Sequence, residues 1–207
     1  MYRKFGKRIC DVVLSVLALI VLAIPMLIIA TIAKATSKGA VLFRQKRVGR
    51  GKTTFMMPKF RSMYTETPSE MPTHMLSDPT KWITPVGAFL RKTSIDELPQ
   101  LFSILCGNMS IVGPRPALWN QDDLIAERDR YGANDIRPGL TGWAQINGRD
   151  ELSIGEKARL DGEYVEKMSL LFDIKCIFLT ALRVVKHDGV VEGGTGSMAK
   201  ESETVVK

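Results

Sequence analysis

The sequence predicts a mainly helical α+β domain with a short β-hairpin, preceded by a re-entrant N-terminal membrane helix. Three observations predict this class. An uncharged and mostly apolar run extends from Val12 to Ala33. Two short β-like segments lie on either side of a Gly49-Arg50-Gly51 turn. Five later segments carry apolar residues at helical spacing.

The apolar run is long enough for a membrane helix, and basic residues lie on both sides of it. As a straight helix it would be roughly 33 Å long, enough to cross the hydrocarbon core of a bilayer. No Asp or Glu occurs between Asp11 and Glu66. Because Lys and Arg near membrane segments favour the cytoplasmic side, a straight span would send one basic cluster across. We therefore expect a helix that enters the membrane, bends at Pro25 and returns, since proline removes a backbone donor and crowds the preceding turn.

Three other interpretations of this run are less favoured. A spanning anchor is one, because prolines do occur in spanning helices. A cleavable signal peptide is another, but the run is longer than a usual signal core and is followed by basic residues. A buried soluble helix would need a polar face, and the run has none.

The rest of the chain divides into one folded domain and a tail. About 150 residues follow the membrane helix, enough for one hydrophobic core. We assign residues 1–38 to the basic N-terminus and membrane helix, and 39–190 to the domain. Residues 191–207 are mostly Gly, Ser, Thr and charged, so we expect them to be disordered.

The elements of the domain follow from local signals. Hairpin strands are expected at Val41–Phe43 and Thr54–Met57, and a loop rich in Pro, Ser and Thr at Thr67–Pro79. Ile111–Pro116 must be extended or turned because two prolines cannot lie inside a helix, and Arg137–Gly142 is expected to be a loop. Helices are expected at Val86–Arg91, Leu98–Leu105, Leu118–Tyr131, Ser153–Met168 and Leu170–Lys186. The charged residues of the fourth are expected on a solvated face, and the fifth is apolar enough to touch the membrane or the core.

Charge and composition limit the partners. The net charge is +7, concentrated before residue 65, so an anionic lipid surface is the favoured partner and phosphorylated ligands come second. Nucleic acid is disfavoured because aromatic residues are few. The three cysteines are widely spaced, which fits a reducing compartment. With His74 and His187 alone, a zinc site and a Ser-His-Asp triad are both disfavoured.

The adjacent carboxylates Asp96 and Glu97 are the first candidates for chemistry. Pro99 is tolerated only in the first turn of a helix, so the helix is expected to start near Asp96. A helix N-terminus favours negative charge and binds phosphate through free amides. One carboxylate could stay ionised while a phosphate approaches, and the other could hold a divalent cation. Taken alone, the segment favours a plainer interpretation, in which Asp96 caps the helix or Ser94 and Glu97 form a capping box.

Basic residues on turns stiffened by Pro or Gly are the second candidates. They are Lys59, Arg61, Arg115, Arg137 and Arg149. A stiff backbone lowers the entropy lost when a cation grips a phosphate. Lining an anion site and forming an ordinary solvated surface are equally favoured interpretations.

Several long motifs together carry a family resemblance. They are Lys59-Phe60-Arg61-Ser62-Met63, Ser94-Ile95-Asp96-Glu97-Leu98-Pro99-Gln100-Leu101, Gly107-Asn108-Met109-Ser110-Ile111-Val112-Gly113-Pro114-Arg115-Pro116, Arg137-Pro138-Gly139-Leu140-Thr141-Gly142-Trp143-Ala144-Gln145-Ile146-Asn147-Gly148-Arg149 and Asp173-Ile174-Lys175. From about Tyr2 to Lys186, the chain resembles the bacterial sugar transferases, in particular the small monotopic polyprenol-phosphate phosphoglycosyl transferases. It looks like the minimal form of that family, and it departs in having Ile24 before Pro25 where the family often has Ser.

The resemblance implies an enzyme that takes a UDP-sugar and transfers its phosphosugar to polyprenol phosphate, giving a polyprenyl-diphosphate-sugar and UMP. It implies that Asp96 is the nucleophile, through a covalent phosphosugar-aspartate, and that Glu97 binds Mg²⁺. The resemblance implies that Lys59, Arg61 and Arg91 contact phosphate. It implies that Arg115, Arg137 and Asp173 belong to the wider site for the nucleotide-sugar or the lipid phosphate. The enzyme would lie in the bacterial inner membrane with its catalytic domain on the cytoplasmic face, and a homo-oligomer is compatible with the resemblance.

Two rival functions remain open from the sequence. One is a transferase or hydrolase in which the two carboxylates only chelate metal and no covalent intermediate forms. The other is a non-enzymatic, membrane-anchored module whose basic face binds anionic lipid or nucleic acid.

Overall fold

Seven α-helices and four short strands form the part of the chain that the computed structural model describes, residues 2–36, 38–67, 78–148 and 151–186. The helices are α1 Lys7–Thr36, α2 Pro85–Lys92, α3 Gln100–Leu105, α4 Asp122–Asp129, α5 Trp143–Ile146, α6 Ile154–Lys167 and α7 Leu170–Lys186. The strands are β1 Leu42–Val48, β2 Thr54–Phe60, β3 Ser110–Val112 and β4 Gly139–Thr141. The predicted mainly helical class with a short hairpin is confirmed.

Helix α1 is continuous from Lys7 to Thr36 with Pro25 inside it, so it extends beyond the apolar run at both ends. Together with the preceding π-helical turn, it is the one helix among the described residues that is long and apolar enough to cross a membrane. Most of its aliphatic side chains are exposed, Ile20, Val21 and Ile24 among them. This exposure excludes the buried soluble helix.

The N-terminal half of α1 is also fastened to the domain. Arg8 donates to the carbonyl oxygens of Ile104 and Leu105 at the end of α3, at 2.6 and 2.8 Å. Buried Asp11 accepts hydrogen bonds from the Ser110 hydroxyl and the Ile111 amide in β3. The first half of the helix is therefore part of the fold.

Strands β1 and β2 pair antiparallel around the predicted turn, where Gly51 has φ +63°. Both strands run further than predicted. Strand β2 continues through Pro58, which lies opposite Arg44 in the register. Proline argues against a central strand but is tolerated here because a two-stranded hairpin has only edge strands.

The parallel pairing of β3 with β4 was not predicted, and the expectation of a loop at Arg137–Gly142 is wrong for residues 139–141. The two backbones lie unusually close. The Gly113 amide donates to Thr141 O and the Gly139 amide to Pro114 O, both at 2.8 Å. A Cβ on Gly139 would lie 2.2 Å from Gly113 N, so glycine is required by the close approach of the Gly113 backbone.

The five predicted helices of the domain are present, and the bounds of two of them differ from the prediction by more than one residue. Helix α4 is shorter than predicted, and α3 begins only at Gln100, after a 3₁₀ turn at Ile95–Glu97. Helix α6 begins with a capping box formed by Ser153 and Glu156. The expectation that its charged residues face solvent is wrong for Asp161, which is 1% exposed and pairs with buried Arg128 at 2.6 Å.

Helix α7 packs against the core on one face only. Cys176 is fully buried there, in a cluster with Tyr164 and Val112. The opposite face exposes a stripe of large apolar residues: Leu171, Ile174, Phe178 and Leu182. Residues 68–77 of the predicted loop and the predicted tail at 191–207 lie outside the described residues.

Candidate functional site

Asp96 and Glu97 lie in the 3₁₀ turn between α2 and α3, and each residue is buried, with 6% of its surface exposed. The turn is preceded by Ser94 in the left-handed region, φ +56°, an uncommon conformation for a residue other than glycine. Ser94 makes no capping hydrogen bond, and Pro99 occupies the N-cap position of α3. Both capping interpretations of the dyad are therefore wrong. A helix start was expected near Asp96, where the structure has the 3₁₀ turn, and α3 itself begins at Gln100.

Two cations meet at Glu97. Lys59 Nζ from β2 lies 2.7 Å from Glu97 Oε1, and Arg115 Nη2, from the turn after β3, lies 2.8 Å from the same oxygen. Three segments that are far apart in the chain converge on this carboxylate. For Lys59 and Arg115, the interpretation as ordinary solvated surface charges is excluded, because both belong to a mostly buried cluster.

Burial dominates the electrostatics of the cluster. It raises the pKa of Asp96, against the opposing effect of Lys59, and the neighbouring Glu97 charge raises it further. Burial lowers the pKa of Lys59, while Glu97 opposes that shift. Arg91 is close enough to favour the ionised form of Asp96 as well. The ionised dyad therefore depends on Lys59, Arg91 and Arg115, and an anionic ligand that approaches would meet the same cations.

The other predicted phosphate-binding cations contact groups outside the dyad. Arg91 Nη1 lies 3.4 Å from Met63 Sδ. Arg61 donates to Lys38 O at 3.2 Å, and its buried Nε has no partner among the described residues. Arg137 donates to Gly107 O at 2.8 Å. Arg149 lies outside the described residues.

Asp173 lies in a separate buried cluster. It accepts hydrogen bonds from Tyr2, from Lys7 at 2.6 Å and from Tyr164 at 2.7 Å. Burial and the nearby carboxylate raise the pKa of Tyr164, so its hydroxyl keeps the proton it donates. These contacts join the N-terminus to α6 and α7. Substrate contacts by Asp173 and Arg137 stay predictions.

Sequence reasoning missed the residues that hold the Arg115 turn. The two prolines beside Arg115 leave carbonyl oxygens that need outside donors. Arg128 donates to Arg115 O at 3.0 Å, and Arg47 donates to Pro116 O at 2.9 Å. Arg128 is itself held by Asp161. No local signal marks Arg128, because charged residues on a short amphipathic helix normally face solvent.

A cavity of about 550 Å³ adjoins the dyad. Glu97 lines it on one side, and α7 contributes Ile177, Thr180, Arg183 and Val184 on the other. Its volume is in the range of pockets that bind small molecules.

The donor set of the dyad suits a cation that arrives with a phosphorylated ligand. Within the part of the chain that the structure describes, no three His, Cys, Asp or Glu side chains cluster as a metal cage. Mg²⁺ is commonly held by one or two carboxylates together with substrate phosphates and water. Asp96 and Glu97 supply two adjacent carboxylates, so the residues fit Mg²⁺ with phosphate and do not fit an all-protein metal site.

Comparison with known proteins identifies the family of the chain. The family model for bacterial sugar transferases matches residues 2–187. The chain is 39% identical over 191 residues to the UDP-glucose:undecaprenyl-phosphate glucose-1-phosphate transferase of Xanthomonas campestris pv. campestris, which covers 89% of this chain and 40% of the relative. It is 41% identical over 191 residues to the undecaprenyl-phosphate glucose phosphotransferase of Komagataeibacter xylinus, covering 86% of this chain and 36% of that relative.

A third relative is similar to this chain in length. The uncharacterized sugar transferase EpsL of Bacillus subtilis (strain 168) is 36% identical over 184 residues, covering 89% of each chain. The chain therefore spans about two fifths of the length of the first two relatives and most of the third. With a family match over nearly its whole length, this chain belongs to the bacterial sugar transferase family.

Proposed function

We propose that this protein transfers a sugar phosphate from a UDP-sugar to undecaprenyl phosphate, giving undecaprenyl-diphosphate-sugar and UMP, as the first step of a cell-surface glycan pathway. The names of the relatives support this donor and this acceptor. The observation that carries the proposal is the buried pair of carboxylates, Asp96 and Glu97, faced by Lys59, Arg91 and Arg115. Such a cluster suits a reaction in which an anionic diphosphate meets an anionic nucleophile.

The proposed reaction has two displacements at one phosphorus atom. A carboxylate oxygen of Asp96 attacks the phosphorus that bears the sugar, and the bond to the bridging oxygen breaks, so UMP leaves with that oxygen. A phosphate oxygen of the lipid then attacks the same phosphorus and expels the Asp96 carboxylate. Splitting one transfer into two steps is covalent catalysis.

The surrounding residues have distinct proposed roles. Lys59 and Arg91 favour the ionised form of Asp96 and offer positive charge to the diphosphate. Arg115 holds Glu97 in place through the 2.8 Å contact. Glu97 would hold Mg²⁺, which neutralises phosphate charge when bound.

Two rivals make different predictions. An enzyme that uses the dyad only as a metal site would form no covalent adduct. A non-enzymatic anchor would bind anionic lipid in a salt-sensitive way and would release no UMP.

Release of UMP is the direct test of the proposed function. Purified protein in undecaprenyl phosphate-containing micelles should release UMP from at least one of a panel of UDP-sugars that includes UDP-glucose and UDP-galactose. Lipid-linked product should accumulate in equal amount. Absence of UMP release across the panel would favour the non-enzymatic rival.

Chelation tests the proposed metal requirement. Excess EDTA should stop UMP release, and added Mg²⁺ should restore it, because the carboxylates add negative charge beside the donor phosphates and a bound cation would offset it. Glu97→Gln should raise the Mg²⁺ concentration needed for half-maximal rate, while Glu127→Gln on the surface of α4 should not change it. An undiminished rate in EDTA would remove Mg²⁺ from the proposal.

The role of Arg128 can be separated from its effect on stability. Arg128→Met alone should destabilise the fold by about 3–5 kcal/mol, since it leaves buried Asp161 without its partner. Arg128→Met combined with Asp161→Leu removes both charges, so thermal stability should return close to that of the unmodified protein. The double variant still lacks the donor to Arg115 O, and kcat should fall about tenfold. Full activity in the double variant would show that Arg128 contributes to stability only.

We also propose that α1 is re-entrant, with the domain on the cytoplasmic face of the inner membrane. Both ends of α1 contact the same domain, which supports this topology. Arg8 bonds the end of α3. At the other end of α1, Ala33 is buried, and Arg61 of the domain donates to Lys38 O just after the helix. A helix that crossed the bilayer would place these two ends on opposite sides.

Cysteine labelling tests this topology. In a variant without native cysteines, Lys4→Cys and Ala35→Cys should both react with a membrane-impermeant maleimide only after the cytoplasmic side is opened. Glu163→Cys on α6 marks the side of the domain. Labelling of the two helix ends from opposite sides would establish a spanning anchor instead.

A further inference from the structure

The proposed reaction assigns no occupant to the cavity beside Glu97. We propose that it binds the lipid acceptor, with the first prenyl units against its aliphatic wall and the phosphate between Lys92 and Arg183. This inference rests on the proposed function, because it locates the acceptor of that reaction.

The larger part of the cavity wall is apolar, beside the polar side chains of Thr93, Ser94, Thr141, Gln145 and Thr180. Its apolar side chains come from five separate elements or turns: Leu98, Ile111, Leu140, Ile146, Ile177 and Val184. A sugar or a diphosphate placed against these apolar side chains would lose hydration without gaining hydrogen bonds from them, which is costly. A prenyl chain gains free energy there, at about 25 cal/mol for each Å² removed from water.

Two cations in the lining have no ion pair or hydrogen bond with another described residue. They are Lys92, which is exposed, and Arg183, which is half-buried. Of the two carboxylates that the described residues bring to the lining, Glu97 is already matched by Lys59 and Arg115, and the exposed Glu151 is left to offset the cations. The surplus is positive, and it favours an anionic group such as a phosphate monoester, which carries a charge of roughly −1.5 to −2.

The location of the cavity suits a ligand that arrives from the membrane. Helix α7 lines it through Ile177, Thr180 and Val184, and the opposite face of the same helix carries the exposed stripe Leu171, Ile174, Phe178 and Leu182. Such a helix lies at the interface of a bilayer with its apolar face toward the acyl chains. In this arrangement α7 separates the cavity from the acyl chains, and Glu97 lies in the cavity lining.

A uridine ring is the competing occupant. Gln145 lines the cavity, and its buried Oε1 atom has no partner among the described residues, so it could accept from an imide N–H. The aliphatic wall and the apolar face of α7 favour the lipid. The two occupants predict changes in different kinetic constants.

Steady-state kinetics separates them. Arg183→Ala and Lys92→Ala should each raise KM for undecaprenyl phosphate about tenfold, the effect of losing one charged hydrogen bond. Val184→Trp, at a half-exposed position that tolerates bulk, should raise it as well by filling the cavity. KM for the UDP-sugar should stay within about twofold. Arg159→Ala, an exposed arginine on α6, is the matched control and should change neither constant.

Photolabelling gives a readout that does not need turnover. A prenyl phosphate that carries a diazirine should label a peptide containing Ile177 to Val184, and undecaprenyl phosphate should compete with it while UDP should not. A raised KM for the UDP-sugar, competition by UDP, or no label in this peptide would overturn the proposal. If the unmodified protein is labelled in this way but releases no UMP from any UDP-sugar, the proposed function fails while the lipid site stands.

Discussion

Asp96→Asn is expected to abolish sugar-phosphate transfer, with kcat lower by about four orders of magnitude or more. An amide cannot attack phosphorus, so the first displacement stops and no UMP is released. Intact mass spectrometry of the unmodified protein with its donor should show a sugar-phosphate adduct that is absent from the variant. Peptide mapping should place the adduct on Asp96.

The same substitution should leave the fold intact. Asp96 is 6% exposed, and its pKa is raised mainly by burial, so its charge is disfavoured in the folded chain. A neutral isostere should therefore melt at the same temperature or higher. Asp122→Asn, on the exposed first turn of α4, is the matched control and should keep full activity. Recovery of Asp96→Asn activity at high Mg²⁺, without any adduct in the unmodified protein, would support the metal-only rival.

Gly139→Ala is expected to have the largest effect on folding. Its new Cβ would lie 2.2 Å from Gly113 N and 2.3 Å from Thr141 O, both backbone atoms that cannot rotate away. The β3–β4 pair would have to separate, and we expect a loss of more than about 4 kcal/mol of stability. Denaturant titration of the detergent-solubilised protein measures the loss.

Gly155→Ala is the matched control for that experiment. Gly155 lies in α6, and a Cβ there would meet nothing within 4 Å. Replacing glycine by alanine inside a helix should stabilise the protein by up to about 1 kcal/mol. Equal midpoints for Gly139→Ala and the unmodified chain would show that the two backbones are not in forced contact.

These two glycines also show what the sequence could and could not predict. Local signals predicted the hairpin and α2, α6 and α7, because each is set by spacing within one segment. The β3–β4 pair depends on two three-residue strands that meet from distant parts of the chain. Their Gly and Pro content is typical of a loop, and only the fold shows that the glycines are needed for close approach.

The site was predictable as a set of residues but not as an arrangement. The motifs singled out Asp96, Glu97, Lys59 and Arg115, and the structure brings Lys59 and Arg115 to Glu97. The capping interpretation was wrong because the same residue types satisfy a helix end and a phosphate site. Arg128 was missed since its partner Asp161 is 33 positions away and both belong to a class that normally faces water.

The hydrogen bonds of Asp11 show that the apolar N-terminus is not a detachable tether. One carboxylate oxygen receives both the Ser110 hydroxyl and the Ile111 amide at 3.0 and 2.9 Å, and β3 leads directly into the turn that carries Arg115. Cutting the chain after Asp11 to obtain a water-soluble fragment would strip β3 of this acceptor and α3 of Arg8. Efforts to produce the domain should therefore keep the first helix and supply lipid or detergent, because a shortened version would lose contacts that hold β3 and α3 beside the candidate site.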